Sequence, residues 1–511
     1  MSATHAQGEE FYRAGLTAAD QGRYAEAMAA FEEALRESPN DARVLFALGT
    51  TAAAIGHTDT AENYYRRVLD QEPDRLEALV NLSKLLRKHG RTADAIALVR
   101  PAIERNPLLS ELWLTLGSAL HEAGDAEIAE TFYREALRLA PDNAAALGNL
   151  ADLLADRGAL DDALDLYRQA IALAPDNAQA RLNRAIVLLS KGKLRAGWRD
   201  YEYRHHIEER ALVSDHGLPL WAGRPAEGMS LLVTAEQGIG DQIMFASLIP
   251  SLWELCRRVG GHLIVETEPR LAPLFTRSFA GVSVARGRLE SVGGRNFARY
   301  GWLRHWGGAD AQIPIGSLPR LMRRELSEFP SPHAYLIPDQ TERSFWSDWL
   351  GEQSEGPYVG LCWRSGSLGG LRNLQHAPLA AWAEFIRNNA VTPVSLQYDV
   401  HKDEIEALQR LSGRTILVPP ELDQKQEIDG TAAAIAALDA VVSAPTSVAW
   451  ISAGLGIPTL KILHNTSWTS FGCDYEPFAP SARCIVPDKR GDWADGFTKA
   501  GEVLKALLPR G

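Results

Sequence analysis

An acidic residue, Asp241, ends a glycine-rich turn that contains Gly238 and Gly240. The turn follows a short apolar segment, Leu231–Thr234, that is typical of a buried strand, and an amphipathic helix starts at about residue 242. Ligands of parallel α/β sheets bind beyond the carboxyl ends of the strands, so this carboxylate can face a cleft. The glycines would allow a tight turn and a close approach of the ligand. The alternative is that Asp241 only caps the helix.

Two hydroxyl residues, Thr446 and Ser447, follow a second predicted strand, DAVVSAP, and open a predicted helix, TSVAWISAGLG. Backbone N–H groups at the start of a helix, together with two hydroxyls, form a site for an anion such as phosphate. Capping of the helix would also explain this pair.

Arg364, Ser365 and Arg372 lie in a polar loop after a third predicted strand, YVGLC. An arginine can bind a diphosphate through two parallel hydrogen bonds, and the alternative is a solvated loop arginine. Gln397 ends the next predicted strand and is a candidate contact to the base or ribose of a nucleotide. No spacing of His, Asp or Glu indicates a metal site.

Four kinds of residue recur every 34 positions through the first 205 residues: a proline, a glycine, a small residue and a large apolar residue. The prolines are Pro39, Pro73, Pro107, Pro141 and Pro175; the glycines are Gly22, Gly56, Gly90, Gly124, Gly158 and Gly192; the small residues are Ala27, Ala61, Ala95, Ala129, Ala163 and Gly197; the large residues are Phe31, Tyr65, Val99, Tyr133, Tyr167 and Tyr201. Such a pattern predicts helical hairpins, because glycine permits the turn and the small residue permits close helix approach. A single hairpin cannot bury its apolar face, so neighbouring hairpins must stack.

This pattern resembles the tetratricopeptide repeat family over residues 8–205, as five full repeats and most of a sixth. Pro101 lies inside a predicted helix and is expected to kink it. The resemblance implies a concave groove that binds a protein, faced by the sixth position of each repeat. Asn81, Asn149 and Asn183 occupy that position and resemble part of the asparagine ladder of O-GlcNAc transferase arrays. Alternatively, they are ordinary solvated helix positions.

The second half of the chain alternates short strands with helices, which predicts parallel sheets. A connector at 206–228, with Trp221 docked on a neighbouring domain, would lead into two Rossmann-like domains at 229–345 and 356–505. RTILVPPELD is expected to add a strand to the second. The fold expected for the whole chain is an α solenoid followed by this α/β pair.

Three segments, at 236–252, 359–367 and 438–463, resemble heptosyltransferase-like glycosyltransferases in the same order along the chain. Joined to the repeats, they resemble bacterial protein glycosyltransferases, including those that modify flagellin. The resemblance implies the GT-B arrangement, with Asp241 as general base and with the donor-binding residues named above. It implies inverting, metal-independent transfer from a nucleotide-sugar, with no cofactor. Pro445 and Trp450 replace an Asp and a His of the family, so the sugar (hexosyl, heptosyl or nonulosonyl) and the nucleotide stay open.

Composition excludes several classes of protein. The chain has 511 residues and a formal net charge of −12, with 24 Lys and Arg against 31 Asp and Glu in residues 1–204. Neither half is basic, which argues against binding to nucleic acid or to an anionic membrane surface. No apolar run reaches the roughly 20 residues of a membrane span, and no secretory signal is visible. The four cysteines form no CxxC pair, so a reducing cytoplasm is expected.

Three functions agree with these patterns. The preferred one is a protein glycosyltransferase that modifies Ser or Thr hydroxyls of a protein held by the repeats. A second keeps the enzyme but makes the acceptor a glycan or lipid precursor, with the repeats recruiting partners. The third is a non-catalytic adaptor with a retired transferase domain.

Overall fold

The computed structural model of the chain describes residues 3–207, 212–236, 238–292, 295–329, 334–366, 376–399 and 402–508. These residues form two compact units. The first holds residues 3–155 and 161–176, and the second holds residues 156–160 and the described residues from 177 onward. Each unit is described by itself below.

The first unit is built from consecutive helical hairpins. Its helices are α1 (Ala3–Asp20), α2 (Tyr24–Glu37), α3 (Ala42–Ala54), α4 (Thr58–Gln71), α5 (Leu76–Lys88), α6 (Thr92–Arg105), α7 (Ser110–Ala123), α8 (Ala126–Leu139), α9 (Ala144–Asp156) and α10 (Leu160–Leu173). The predicted helical repeat is confirmed, and α6 continues through Pro101 without ending there.

The recurring residues have the roles that their types predicted. Each recurring glycine adopts a φ between +69° and +93°, a conformation that other residues rarely adopt. The small residues at Ala27, Ala61, Ala95, Ala129 and Ala163 have no exposed surface. The large residues after them are at most 2% exposed from Phe31 to Tyr167, so they fill the space between hairpins.

A second glycine position brings helices together within three hairpins. A Cβ added at Gly15 would lie 2.5 Å from the Phe31 ring, and one added at Gly49 or Gly117 would lie 2.8 or 2.9 Å from Tyr65 or Tyr133. Real Cβ atoms essentially never come this close to another heavy atom. The aromatic ring of each hairpin therefore packs directly on the backbone of the preceding helix.

The second unit contains two parallel sheets and their surrounding helices. Its helices are α11 (Ala178–Ser190), α12 (Leu194–Tyr201), α13 (Ile239–Ala246), α14 (Ile249–Arg258), α15 (Ala272–Ser278), α16 (Leu318–Met322), α17 (Gln340–Gln353), α18 (Leu379–Asn388), α19 (Lys402–Ser412), α20 (Ile428–Ile435), α21 (Ser447–Gly454) and α22 (Trp493–Leu507). Its strands are β1 (Leu212–Ser214), β2 (Ser230–Thr234), β3 (His262–Thr267), β4 (Ser283–Arg286), β5 (Leu289–Val292), β6 (Arg295–Ala298), β7 (Ala311–Pro314), β8 (Tyr358–Cys362), β9 (Thr392–Ser395), β10 (Ala440–Ser443), β11 (Thr459–Ile462) and β12 (Ala482–Ile485).

The first parallel sheet has the order β4-β3-β2-β7. Its central strands are buried on both faces, which explains their continuous apolar sequences. A small sheet of order β1-β6-β5 was not expected from the sequence. It begins in the predicted connector, where Trp221 is 3% exposed and its backbone N–H donates to the carbonyl of Gln312.

The second parallel sheet has the order β12-β11-β10-β8-β9. The segment RTILVPPELD, predicted as a strand, contributes only a single parallel bridge, from Leu417 to Val394 beside β9. With that bridge counted, the order along the sheet follows the 3-2-1-4-5-6 pattern of doubly wound α/β folds. The predicted α/β class is confirmed.

The sixth repeat packs inside the second unit. Leu182, Leu189, Leu194, Trp198 and Tyr201, from α11 and α12, share one apolar core with residues of both parallel sheets. The Trp198 indole is 1% exposed and its N–H donates to the carbonyl of Arg323. The repeat pattern therefore continues to about residue 205, whereas close packing divides the chain before α11.

Candidate functional site

A cavity of about 640 Å³ opens at the carboxyl ends of β2, β3 and β7. The chain passes from β2 to β3 on one side, whereas β7 pairs with β2 on the other, so the strand order reverses here. Such switch points are where open α/β sheets bind ligands. The cavity is lined by Arg204, His205, Ser214, His216, Thr234, Ala235, Glu236, Asp241, Gln242, Glu266, Thr267, Glu268, Pro269, Gly287, Tyr300, Gln312 and Pro314.

Asp241 lines this cavity and is half-buried. Asp241 also caps its own helix, α13, which begins at Ile239. From the first turn of that helix, the Asp241 carboxylate accepts a hydrogen bond of 3.3 Å from the N–H of Gly238. The carboxylate therefore lines the cavity and is also hydrogen-bonded to the start of its own helix, from the third helical position, because the N-cap residue is Gly238. Gly238 has a φ of −82°, so a left-handed turn does not explain the glycine.

The first turn of α13 meets the first turn of α21. A Cβ on Gly240 would lie 3.6 Å from the Cα of Ser447 and 3.5 Å from the Trp450 ring, which is ordinary van der Waals contact. The structure thus brings the helix that carries Asp241 to the predicted anion site at Thr446 and Ser447.

Arg204 holds the segment that precedes the glycine-rich turn. Its guanidinium donates to both carboxylate oxygens of Glu236, at 2.9 and 2.6 Å, and also to Glu202 and Ser317. Glu236 in turn accepts from the N–H of Gly316 at 2.7 Å. Although burial opposes it, the charge of Glu236 raises the pKa of the Arg204 guanidinium. The arginine is 3% exposed, so the turn is anchored by a buried ion pair.

Glu266 ends β3 beside the cavity and is 3% exposed. Its Oε2 atom accepts from the Tyr300 hydroxyl at 2.8 Å and from the Ala235 N–H at 3.0 Å. Burial raises the pKa of the Glu266 carboxyl, against the opposing effect of these two hydrogen bonds. The site therefore contains a carboxyl that resists ionisation.

Gln397 and Thr446 lie together at the switch point of the second sheet, between β8 and β10. Gln397 accepts from the N–H groups of Trp363 and Arg364 and donates to the carbonyls of Arg364 and Tyr398. Its amide is therefore used in holding the loop after β8. The Thr446 hydroxyl lies 3.1 Å from the Ser443 hydroxyl and does not cap α21.

Arg364 is committed to an ion pair. Its guanidinium donates two hydrogen bonds of 2.7 Å to the Glu404 carboxylate and a third to the carbonyl of Asp399. Hydrogen bonding to Glu404 raises the pKa of the Arg364 guanidinium. The Ser365 N–H points to Nε2 of His376 at 3.3 Å. Arg372 lies outside the described residues.

The asparagines predicted to face the groove are half-buried and have partners inside their own units. Asn149 donates to the Ser118 hydroxyl at 3.0 Å, and Asn81 is hydrogen-bonded to the Tyr65 hydroxyl. Asn183 accepts from Gln179 at 2.6 Å. An amide group has more donor and acceptor positions than one such contact occupies, so the contacts of Asn81 and Asn149 are compatible with a groove that also binds a peptide.

The sequence interpretation missed Arg204, Glu236, Glu266 and Tyr300. A signal existed for Glu266, because a glutamate at the end of an apolar strand needs a reason to be buried. No such signal existed for Arg204, which lies at the very end of the predicted repeat array and reads as one of several charged residues there.

Among the described residues, no helix is both long and apolar enough to cross a membrane. In the same part of the chain, no three His, Cys, Asp or Glu side chains are grouped so that they could hold a metal ion.

Comparison with known proteins identifies the first part of the chain. Family profiles described as tetratricopeptide repeat match residues 12–75, 46–109 and 108–176. Residues 12–176 therefore carry tetratricopeptide repeats. A curated relative, Protein FlbA of Caulobacter vibrioides, is 32% identical over 311 residues, which is 60% of this chain. The chain spans about half the length of this relative, 52% of it.

Solved structures resemble the repeats. TTC0263, a thermophilic TPR protein in Thermus thermophilus, is 28% identical, with 36% of this chain and 99% of that chain covered at a TM-score of 0.32. PilW, a type IV pilus biogenesis factor, is 20% identical, with 39% and 92% covered at a TM-score of 0.34. YrrB, a TPR protein with an unusual peptide-binding site, is 19% identical, with 35% and 96% covered at a TM-score of 0.28.

Proposed function

We propose that this chain is a protein glycosyltransferase of the GT-B type. The repeats bind a protein acceptor, and the second unit transfers a sugar from a nucleotide-sugar to a Ser or Thr hydroxyl. The observation that carries the proposal is the position of Asp241, on the wall of a cavity at a switch point and on a helix whose first turn meets that of α21. Flagellin is the acceptor that the sequence resemblance implies.

The proposed step uses the two helix starts in different ways. The Asp241 carboxylate takes the proton of the acceptor hydroxyl as its oxygen bonds to the anomeric carbon. The bond between that carbon and the phosphate oxygen breaks, and its electron pair leaves with the nucleotide. The N–H groups at the start of α21, beside Thr446 and Ser447, would stabilise the departing anion. Arg364 has no assigned role, because Glu404 neutralises it.

Substitution of Asp241 by Asn tests the proposal. An asparagine keeps an oxygen that accepts from the Gly238 N–H but cannot take a proton at neutral pH. We expect transfer to fall by about 10²–10⁴-fold, the usual contribution of a general base. Transfer is measured as intact-mass change of flagellin co-expressed with the enzyme, and as nucleotide release from a panel of UDP-, GDP-, ADP- and CMP-sugars.

Glu328 offers a matched control. It is exposed and lies in another capping box, where its carboxylate accepts from the N–H of Glu325. Glu328→Gln should leave transfer unchanged. Wild-type transfer by Asp241→Asn would refute the assignment of the base.

The adaptor is the second candidate, and the commitment of Arg364 and Gln397 to internal hydrogen bonds favours it. An adaptor would bind the acceptor protein but release no nucleotide from any member of the panel. An enzyme acting on a glycan or lipid precursor would release nucleotide without changing the mass of any protein.

A further inference from the structure

The cavity beside β2, β3 and β7 contains two buried polar side chains that each leave one atom unused. Gln242 is 4% exposed and lines the cavity. Its Oε1 accepts from the Thr267 hydroxyl at 3.1 Å and from the Glu268 N–H at 3.0 Å. Because a backbone N–H can only donate, the remaining Nε2 atom is a donor, and it meets no hydrogen-bond partner among the described residues.

Glu266 shows the same arrangement. Both of its donors, Tyr300 and the Ala235 N–H, are bound to Oε2. The other oxygen, Oε1, accepts from no residue in the described part of the chain. A Cβ on Gly287, which also lines the cavity, would lie 3.2 Å from this Oε1 atom. The absence of a side chain at Gly287 therefore leaves Oε1 open to the cavity.

The charges around the cavity argue against an anionic ligand. Four carboxyl groups line it, those of Asp241, Glu236, Glu266 and Glu268. Glu236 is paired with Arg204 and Glu268 with Arg270, and burial raises the pKa of Glu266. Burial lowers the pKa of both lining histidines, His205 and His216, which keeps the rings neutral near pH 7. Phosphates would therefore meet the Asp241 carboxylate, with no unpaired cation among the described lining residues to bind them.

An unpaired amide donor and an unpaired carboxyl oxygen fit hydroxyl groups, each of which donates and accepts. We propose that this cavity binds a neutral sugar ring, with Nε2 of Gln242 and Oε1 of Glu266 as its contacts, and that it excludes the phosphates of the donor. The inference rests on the proposed function only where it takes the bound sugar to be a substrate of the transfer. Binding itself needs no turnover. A volume of about 640 Å³ lies within the usual range for small-ligand pockets.

Saturation-transfer NMR on the full chain tests the inference, with millimolar glucose, galactose and N-acetylglucosamine as neutral probes and inorganic pyrophosphate as the anion. We expect signals from at least one sugar and no displacement of it by pyrophosphate. Gly287→Ala places a methyl group against Oε1 of Glu266 and should weaken sugar binding about tenfold, as expected for a polar group left unpaired. Gln242→Glu keeps the oxygen bound to Thr267 and Glu268 but removes the donor, and it should also weaken binding.

Gly351 is the matched control, because a Cβ there, on α17, meets nothing within 4 Å. Gly351→Ala should bind sugars as the wild type does. No sugar signal from the wild type, displacement by pyrophosphate, or unchanged binding by both Gly287→Ala and Gln242→Glu would overturn the inference. A chain that binds sugar here but transfers none would contradict the proposed function alone.

Discussion

Asp241 and Glu266 share one cavity but have different surroundings. Asp241 is half-buried in the first turn of a helix, whereas Glu266 is buried at a strand end with a single hydroxyl and a single N–H as donors. Two carboxyl groups in different environments can take different roles in one site. In the proposed reaction Asp241 moves a proton, and Glu266 only binds.

The raised pKa of Glu266 predicts how stability depends on pH. A carboxyl whose pKa is higher in the folded state stabilises the fold below the ordinary glutamate pKa, and this contribution is lost as the pH rises through the folded pKa. Glu266→Gln stays neutral and removes that loss. We expect the melting temperature of the variant to increase relative to that of the wild type as the pH rises from about 4 to about 8.

Glu254→Gln is the comparison for this experiment. Glu254 lies on α14, and its hydrogen bonds to Arg257 and Arg258 lower the pKa of its carboxyl. The small stabilisation that Glu254 gives the folded state should therefore be lost as the pH falls, which is opposite to the pH dependence expected for Glu266. A difference between wild type and Glu266→Gln that stays constant with pH would contradict the burial argument.

At the residue level, the sequence predicted where residues lie relative to strands and helices better than it predicted their ion-pair partners. Asp241, Thr446 and Ser447 lie at helix starts that follow strands, as predicted, because strand ends are visible in the order of apolar and polar residues. The partner of Arg364 is Glu404, forty residues away on α19, and nothing local indicates that pairing. The ion pair of Arg204 with Glu236 was missed for the same reason, because only the tertiary fold brings them together.

At the level of elements, the hairpins contain a matched pair of glycines. Gly117 lies in the middle of α7, where a Cβ would press on the Tyr133 ring at 2.9 Å, whereas at Gly148 in α9 a Cβ meets nothing within 4 Å. Gly117→Ala should destabilise its hairpin by about 1–3 kcal/mol, because the added methyl group overpacks the contact with Tyr133. The higher helix propensity of alanine offsets part of this loss. Gly148→Ala should stabilise its hairpin by about 0.5–1 kcal/mol.

Hydrogen exchange followed by mass spectrometry measures both effects locally. Peptides from α7 and α8 should exchange faster in Gly117→Ala, and peptides from α9 should exchange more slowly in Gly148→Ala. Slower exchange in both variants would mean that the Tyr133 ring moves aside at no cost.

The helical elements were predictable because the 34-residue period repeats the same residue types along the first 205 residues. Strands in the second half were predictable where they are buried on both faces, as in β2, β8 and β10. Prediction failed at sheet edges. Leu417 makes one bridge where a strand was expected, since an edge segment that pairs on one side receives little support from its own sequence.

At the level of the whole molecule, the sixth repeat determines where the chain can be divided. Trp198 contacts Trp468, Phe471 and Phe478, with ring centroids 5.7–6.3 Å apart. Burial of a large apolar side chain stabilises the folded state by about 1.5–3 kcal/mol. Among the described residues, Arg204 is the only cation that pairs with Glu236 at hydrogen-bond distance. The second unit therefore needs residues 177–206 to complete its core and to hold the turn before Asp241.

Two fragments test this division. The fragment 177–511 keeps α11, α12 and Arg204, and should be monodisperse on size-exclusion chromatography with one cooperative melt by circular dichroism. The fragment 207–511 exposes the aromatic residues that Trp198 covers. It also leaves the half-buried Glu236 without its cation, a defect of at most about 3–5 kcal/mol in itself. We expect it to aggregate or to melt well below the longer fragment. Equal melting temperatures for the two would show that the sixth repeat belongs to the solenoid alone, as its sequence period suggests.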